Sequence, residues 1–300
     1  MCIRDSLEAA PPSVPELPEV ETVVRELATV LPGHRISGVQ VIHSDLLAVP
    51  EDRFSQILSG SSVEAVARRG KNLVFSLSTP EQGRHSHVLA VNLGMTGRLL
   101  FFPETDPESS RKEDQWPSHP AILFALVPLS TLVYADVRRF GSLRVFSSEE
   151  WRSESSRLGP EPLDPALTAR QLHEGFSRSR SPIRSWLLDQ TRLAGIGNIY
   201  ASEALFRAGI HPTRPARSLG LDEAELLLAG LQGVLSEAIA ARGTTLRDYR
   251  TASGDFGGFG PALEAYGRDG EPCPRCNTPN ERIVFGNRSA FFCPQCQKST

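Results

Sequence analysis

Cys273 and Cys276 form one CxxC pair, and Cys293 and Cys296 form another sixteen residues further on. Four thiolates at that spacing match a closed tetrahedral zinc site, which holds structure and leaves no position open for catalysis. The fifth cysteine, Cys2, stands alone, so the pattern is metal-site arithmetic and not a disulfide framework. Between the pairs, ERIVFGNRSAFF reads as a hairpin turning near Gly286-Asn287, with Arg288 at its tip as either a phosphate contact or a solvated charge. The other end of the chain raises a different question with PSVPELPEVETVVREL. A helix accounts for the apolar stripe Val20, Val23, Val24, Leu27, Val30 and Leu31, for Pro18 at its first position, and for Glu19 and Glu21 near its positive end. It does not account for Pro15 or Glu16. By default Lys71, in RRGKNL, is a solvated strand charge, and Met95, in LGMTG, a core side chain. YADVRRFG sets Arg138, Arg139 and Phe140 at a strand end, as a wedge of the kind that kinks duplexes and extrudes bases, or as a turn with Phe140 in the core. Gly195 and Gly197 precede Asn198 at a helix start, where free N–H groups make either a phosphate cradle or a plain tight turn.

The elements that must position these residues change character along the chain. From about 36 to 146 it reads as strands: SVEAVARRGKNLVFSLS, HVLAVNLGMTGRLLFF and AILFALVPLSTLVYADV are rich in β-branched and aromatic residues, and residues 103–120 form a polar, proline-bearing loop. Residues 148–160, rich in Ser and charge, read as a linker. LTARQLHEGF, SPIRSWLLDQ, NIYASEALFRAG and LDEAELLLAGLQGVLSEAIAA then carry helical periodicity, followed by the glycine-rich TASGDFGGFG and the cysteine module. Three hundred residues suit more than one core, and 40% hydrophobic with 22% charged residues is a globular composition. No apolar run is long enough to span a bilayer, and MCIRDSLEAAPPS lacks the apolar stretch of a secretion signal, so a cytoplasmic protein is expected. A net charge of −3 argues weakly against a nucleic-acid partner, but the basic residues cluster: Arg68, Arg69 and Lys71; Arg138 and Arg139; Arg178, Arg180 and Arg184.

Taken together, PELPEVET, RRGKNL, LGMTG, DVRRFG, LGPEPL, GIGNIYASEALF, GTTL and the terminal CxxC/CxxC ribbon resemble the formamidopyrimidine-DNA glycosylases. The resemblance runs from Pro15 to about Lys298 in the family's order, and PELPEVET favours the oxidised-purine branch over the endonuclease VIII branch. It implies an α+β multidomain fold. Residues 15–147 would be an N-terminal β-sandwich with flanking helices, and 161–264 a helical helix-two-turn-helix domain with a mobile lesion-capping loop. Residues 265–300 would be a zinc ribbon holding one structural Zn2+ through Cys273, Cys276, Cys293 and Cys296. The implied partner is damaged double-stranded DNA, bound by a monomer in the cleft between the lobes. The implied reaction is base excision followed by β- and δ-elimination. Pro15 matches the nucleophile, a chain-terminal amine that attacks C1′, and Glu16 its acid–base neighbour. Lys71 matches the proton donor of β-elimination and Arg288 the arginine of δ-elimination. Met95, Arg138 and Phe140 match the void-filling wedge beside Arg139, and Asn198 a phosphate ligand, with Arg178 and Arg180 also on the DNA side.

Several positions depart from the family pattern. Pro15 is internal here, and a tertiary amide nitrogen cannot attack, so residues 1–14 are expected to be a miscalled or removable extension, with Val14 at the family's initiator position. If the extension is retained, the alternative is a non-catalytic lesion-binding relative. Asn92 stands where many relatives have a histidine. Pro117 replaces another, whose phosphate contact His119 is placed to take over, and Arg184 replaces a lysine.

Overall fold

The computed structural model describes residues 14–79, 83–103, 117–285 and 288–299. The extension (residues 1–13), most of the polar loop (104–116) and the Gly286-Asn287 turn lie outside the described residues.

Helix α1 (Leu17–Val30) starts one residue earlier than its proline predicts, with Glu16 as the N-cap and Pro18 still within the first turn, where no N–H is missed. It ends at Leu31, and Gly33 takes a φ of 90° in the turn that follows. Its apolar stripe packs into the sheet domain, with Val20, Val23 and Leu27 fully buried.

Eight antiparallel strands follow: β1 (Arg35–Val41), β2 (Ser62–Arg69), β3 (Asn72–Thr79), β4 (Gly83–Asn92), β5 (Gly97–Pro103), β6 (Pro120–Val127), β7 (Ser130–Asp136) and β8 (Ser142–Ser147). Their order is β5-β7-β6-β1-β2-β3-β4-β8. β1 meets β2 at a single register pair, Arg35 with Ser62, and both strands shift register beside it, between Ile36 and Gly38 and between Val63 and Ala65. Such irregularities bend a sheet. Here they fold it over, so that Leu99, Phe124 and Tyr134 from one half share a core with Phe75, Leu89 and Leu143 from the other. That is the expected sandwich, drawn from one continuous sheet. Two helices fall where none was read. α2 (Glu51–Leu58) interrupts the strand region and buries Phe54 and Leu58. α3 (Ser148–Ser155) occupies the stretch read as a linker, with its first turn capped by Ser147 and Glu150.

The helical half contains α4 (Ala169–Ser177), α5 (Ile183–Leu188), α6 (Asn198–Ala208) and α7 (Leu221–Ala240). Two turns over 189–197 join α5 to α6. The core of this half includes Phe176, Trp186, Tyr200, Leu231 and Leu235. Strands β9 (Glu281–Phe285) and β10 (Arg288–Phe292) form the terminal hairpin, which packs on α6. No described helix is long and apolar enough to cross a membrane.

Candidate functional site

Pro15 is buried where the start of α1 meets the turn before α6. The Leu17 N–H donates to the Gly195 carbonyl at 3.0 Å. Glu16, only 2% exposed, sends its carboxylate across to accept from the backbone N–H groups of Gly197 (2.8 Å), Ile199 (2.9 Å) and Tyr200 (3.3 Å). The glycines are required by this fit: a Cβ on Gly197 would lie 2.3 Å from the Glu16 carboxyl carbon, and one on Gly195 would lie 2.8 Å from Leu17. This corrects one reading of the GIGN turn, since the N–H groups at the start of α6 hold the protein's own carboxylate instead of a phosphate. The positive helix end and the N–H groups favour the ionised form. Burial outweighs them and raises the Glu16 pKa, against the opposing pull of the Lys71 charge and those N–H groups.

Lys71 lies in the turn between β2 and β3, partly buried. Desolvation lowers its pKa; Glu16 and Glu19 pull it up and the Arg288 charge pushes it further down. Lys71 of the sandwich thus feels charges from the start of the first helix, Glu16 and Glu19, and from the ribbon, Arg288. A cavity of about 330 Å³ opens beside Lys71, between Asn72 and Asn92 of the sandwich and Gln190 and Thr191 of the helical half. The turn itself is pinned from behind by Glu161 of LGPEPL, which accepts from Arg68 (2.5 Å), Arg69 (3.0 Å) and the Gly70 N–H (2.7 Å). Arg69 also donates to the Ser155, Leu158 and Gly159 carbonyls, and Arg68 to Glu21. The first basic cluster is therefore an inter-lobe lock, with Lys71 alone available for chemistry.

The residues expected to form a wedge belong to other turns of the sandwich. Phe140 is 59% exposed, so the reading that buries it in the core fails. The Arg138 guanidinium lies 4.7 Å from the centre of its ring, Met95 is partly buried, and Arg139 pairs with Asp45 at 3.3 Å. His119 is exposed with a φ of 63°, and its carbonyl accepts from the Asp136 N–H at 3.1 Å. Arg178 and Arg180 are exposed just beyond α4. The glycine-rich loop is latched in this structure: Ser253 N–H donates to Glu26 of α1 (3.0 Å), and the Ala252 carbonyl accepts from Phe101 of β5 (3.1 Å).

Asn198 accepts from Arg184, whose second bond runs to the Ser289 carbonyl of the ribbon at 2.8 Å. Arg184 is 1% exposed, and its Nε has no partner among the described residues. Burial and the neighbouring Arg288 bring its pKa down to about 10. Arg288 itself is exposed at the start of β10. The Sγ atoms of Cys273, Cys276, Cys293 and Cys296 all lie within 4.8 Å of one another, with separations of 3.5 and 3.9 Å among them. Zn–S bonds of about 2.3 Å in a tetrahedron require about 3.8 Å between sulfurs, so the four thiolates fit one zinc ion.

Family models for the formamidopyrimidine-DNA glycosylase N-terminal domain, its H2TH domain and the zinc finger found in FPG and IleRS match residues 14–143, 158–250 and 270–298. A formamidopyrimidine-DNA glycosylase of Thermomicrobium roseum is 43% identical over 299 residues, covering 95% of this chain and 99% of the relative. The chain belongs to this family. The Moorella thermoacetica formamidopyrimidine-DNA glycosylase is likewise 43% identical, over 90% of this chain and 94% of its own. Among solved structures, a Lactococcus lactis FPG variant bound to Fapy-dG-containing DNA superposes with a TM-score of 0.84 at 30% identity, over 95% of this chain and 100% of that one. The L. lactis Fpg complex with abasic-site DNA gives 0.83 at 30% identity, over 94% and 99%. Formamidopyrimidine-DNA glycosylases are DNA glycosylases and AP lyases, and this chain is one such repair enzyme, with one structural zinc.

Sequence reading left Glu19, Tyr200 and Thr244 out of the site. Tyr200 hydroxyl and Thr244 N–H donate to Glu19 at 2.6 and 2.7 Å, and the Glu16 N–H donates to its other oxygen at 2.9 Å. Glu19 also lies in PELPEVET, and its burial beside a second carboxylate was not visible in the spacing. Arg184, expected as one of a basic cluster with Arg178 and Arg180 and as a replacement for a lysine, is instead buried against Asn198 and the ribbon.

Proposed function

We propose that this chain, with Pro15 as its first residue, removes oxidised purines such as 8-oxoguanine and formamidopyrimidines from duplex DNA and nicks the resulting site, working as a monomer in the cytoplasm. The observation that carries the reading is the buried corner in which Pro15 adjoins Glu16, whose carboxylate is held by the N–H groups of Gly197, Ile199 and Tyr200 and interacts with the Lys71 charge. A chain-terminal secondary amine has an ordinary pKa near ~8, so a neutral fraction is present at physiological pH. Its lone pair attacks C1′ of an extruded nucleotide, the N-glycosidic bond breaks, and the departing base takes up a proton. The product is an iminium. Glu16, held by three N–H groups, orients the amine and balances the cation that forms on it. Loss of a C2′ proton then expels the 3′ phosphate in β-elimination, and δ-elimination expels the 5′ phosphate. Lys71, its charged form disfavoured by burial, is suited to exchange protons near C2′ and the leaving oxygen. Arg288 and the buried Arg184 bring positive charge to the phosphates. Phe140, Arg138 and Met95 would occupy the space vacated by the lesion.

Borohydride trapping tests this directly. A chain beginning at Pro15 is expected to form a covalent adduct with a duplex containing 8-oxoguanine, and the 300-residue chain none, because its Pro15 nitrogen is an amide. No adduct from the trimmed chain overturns the nucleophile assignment. Lesion binding without cleavage by the chain isolated from cells, with its leader still present on N-terminal sequencing, supports the non-catalytic alternative. A related structure holds an oxidised-pyrimidine DNA, so competition between purine and pyrimidine lesions decides the preferred substrate.

A further inference from the structure

Asp136 is 2% exposed and has four donors around its carboxylate. Oδ1 accepts from the Thr96 hydroxyl (2.5 Å) and from the Arg138 N–H (3.3 Å). Oδ2 accepts from the Gly141 N–H (2.9 Å) and the Tyr134 hydroxyl (3.3 Å). The Thr96 hydroxyl oxygen also accepts from the Arg138 N–H, at 3.0 Å. One carboxylate therefore grips both ends of the turn that carries Arg138 and Phe140. Through Thr96 it also grips the residue next to Met95.

The two turns are in close backbone contact as well. A Cβ on Gly94 would lie 2.5 Å from Phe140 and Gly141 backbone atoms, and one on Gly141 would lie 1.7 Å from the Tyr134 hydroxyl oxygen. Residues 137–140 are all exposed, so no core packing of their side chains fixes this turn. Arg139 holds a left-handed φ of 54°, a conformation that surrounding structure must impose. Behind the Met95 turn, Asn92 Oδ1 accepts from the Gly94 N–H (3.0 Å), while its Nδ2 donates to Asn72 (3.1 Å) and lies 3.4 Å from the Lys71 carbonyl. The internal bonds of Asn92 thus tie the Met95 turn to the turn of Lys71.

Inserting a side chain into a base stack meets a resistance of a few kcal/mol per step, which a loose turn would yield to. Four donors converging on one buried acidic side chain hold a turn far more firmly than the single bond of an ordinary hairpin turn. We propose that Thr96 and Asp136 are positioning residues that clamp the Met95 and Arg138–Phe140 turns into one rigid wedge, so that the clamp governs how efficiently a lesion is extruded from paired DNA. This rests on the wedge reading above.

The test uses the chain beginning at Pro15 and two substrates, a lesion-bearing duplex and the same duplex with a preformed abasic site, which has no base to extrude. In Thr96→Val, single-turnover excision of the lesion falls roughly tenfold, while nicking at the abasic site stays within about twofold. Thr96→Ser, which keeps the hydroxyl, restores excision. Thr96→Ala reproduces the Val result without a second methyl in the buried site. Unchanged excision in both Val and Ala variants, or equal loss of the two reactions in both, overturns the clamp. Phe140→Ala separates the clamp from its premise. If that variant excises at the full rate, the wedge reading fails; if it slows while Thr96→Val does not, only the clamp fails.

Discussion

At Glu16 a carboxylate is sunk between two lobes, and its three donors come from a helix 181 to 184 residues away in sequence. At Phe140 the side chain stands in solvent beside the Arg138 guanidinium, and the turn that carries it is held by buried groups behind it. Burial in the first region raises the proton affinities of Glu16 and Glu19, which the proposed chemistry would use. On the proposed function the second is exposed because it enters a base stack. Substitutions in the corner should therefore change stability and chemistry together, whereas substitutions at the tip of the wedge should change function alone.

Removing the metal gives the largest expected effect. Structural zinc in small fingers contributes on the order of 10 kcal/mol to folding. Chelation at 25 °C is expected to unfold the ribbon and abolish nicking, and circular dichroism should show the sandwich still folded. Next is Glu161→Ala, which removes the one carboxylate shared by Arg68, Arg69 and the Gly70 N–H and leaves Arg68 with Glu21 and Arg69 with backbone carbonyls. It should lower stability by about 3 kcal/mol and slow abasic-site nicking by freeing the turn of Lys71, as read by denaturant unfolding and gel assay. Wild-type rates would show that Lys71 is held elsewhere.

Glu19 supplies the third. Burial, reinforced by the Glu16 charge, raises its pKa from 4.5 to about 7. The folded state therefore binds this proton more tightly than the unfolded chain does. The resulting stability is complete below pH 4.5 and is lost as pH rises through 7, a change of about 3 kcal/mol for this group. Glu16, shifted in the same direction, adds to the trend. Thermal unfolding across that range should show the fall, and Glu19→Gln should flatten it. The smallest stability change belongs to Phe140→Ala, within about 0.5 kcal/mol of wild type because the ring is exposed, yet excision from duplex should drop at least about tenfold. A large loss of stability would mean that the wedge is also structural.

What could be read from sequence divides along similar lines. The cysteine pairs were legible because ligand spacing is local and the metal imposes it. The three-part architecture followed from motifs in family order, and the same motifs are the source of the proposal that Pro15 is the nucleophile and Phe140 part of a wedge. The GIGN turn stayed open between a phosphate cradle and a tight turn because nothing near it reveals that Glu16, the N-cap of the first helix, fills the N–H groups of Gly197, Ile199 and Tyr200. Arg68 and Arg69 looked like a basic patch for the same reason: their acceptor, Glu161, is 92 or 93 residues away. Two misses had local signals. Ser147 and Glu150 are spaced as a capping box, ahead of the helix in the supposed linker. Glu51 and Asp52 follow Pro50 and precede Phe54 and Leu58 at helical spacing. Both lay in stretches whose composition favoured another reading.

Helix α6 carries a consequence at each end. Its first turn holds Glu16. At its far end Arg275 donates to the Phe206 carbonyl at 3.1 Å, and Gln297 donates to the Ile210 carbonyl at 2.9 Å, both from the cysteine module. Eleven residues make a rod of about 16 Å between the Glu16 carboxylate and the ribbon. One inserted residue would advance the ribbon by about 1.5 Å and rotate it by about 100°, swinging Arg288 away from Lys71. The helix is thus a ruler as well as a scaffold, and an evolving sequence is freer to change its side chains than its length.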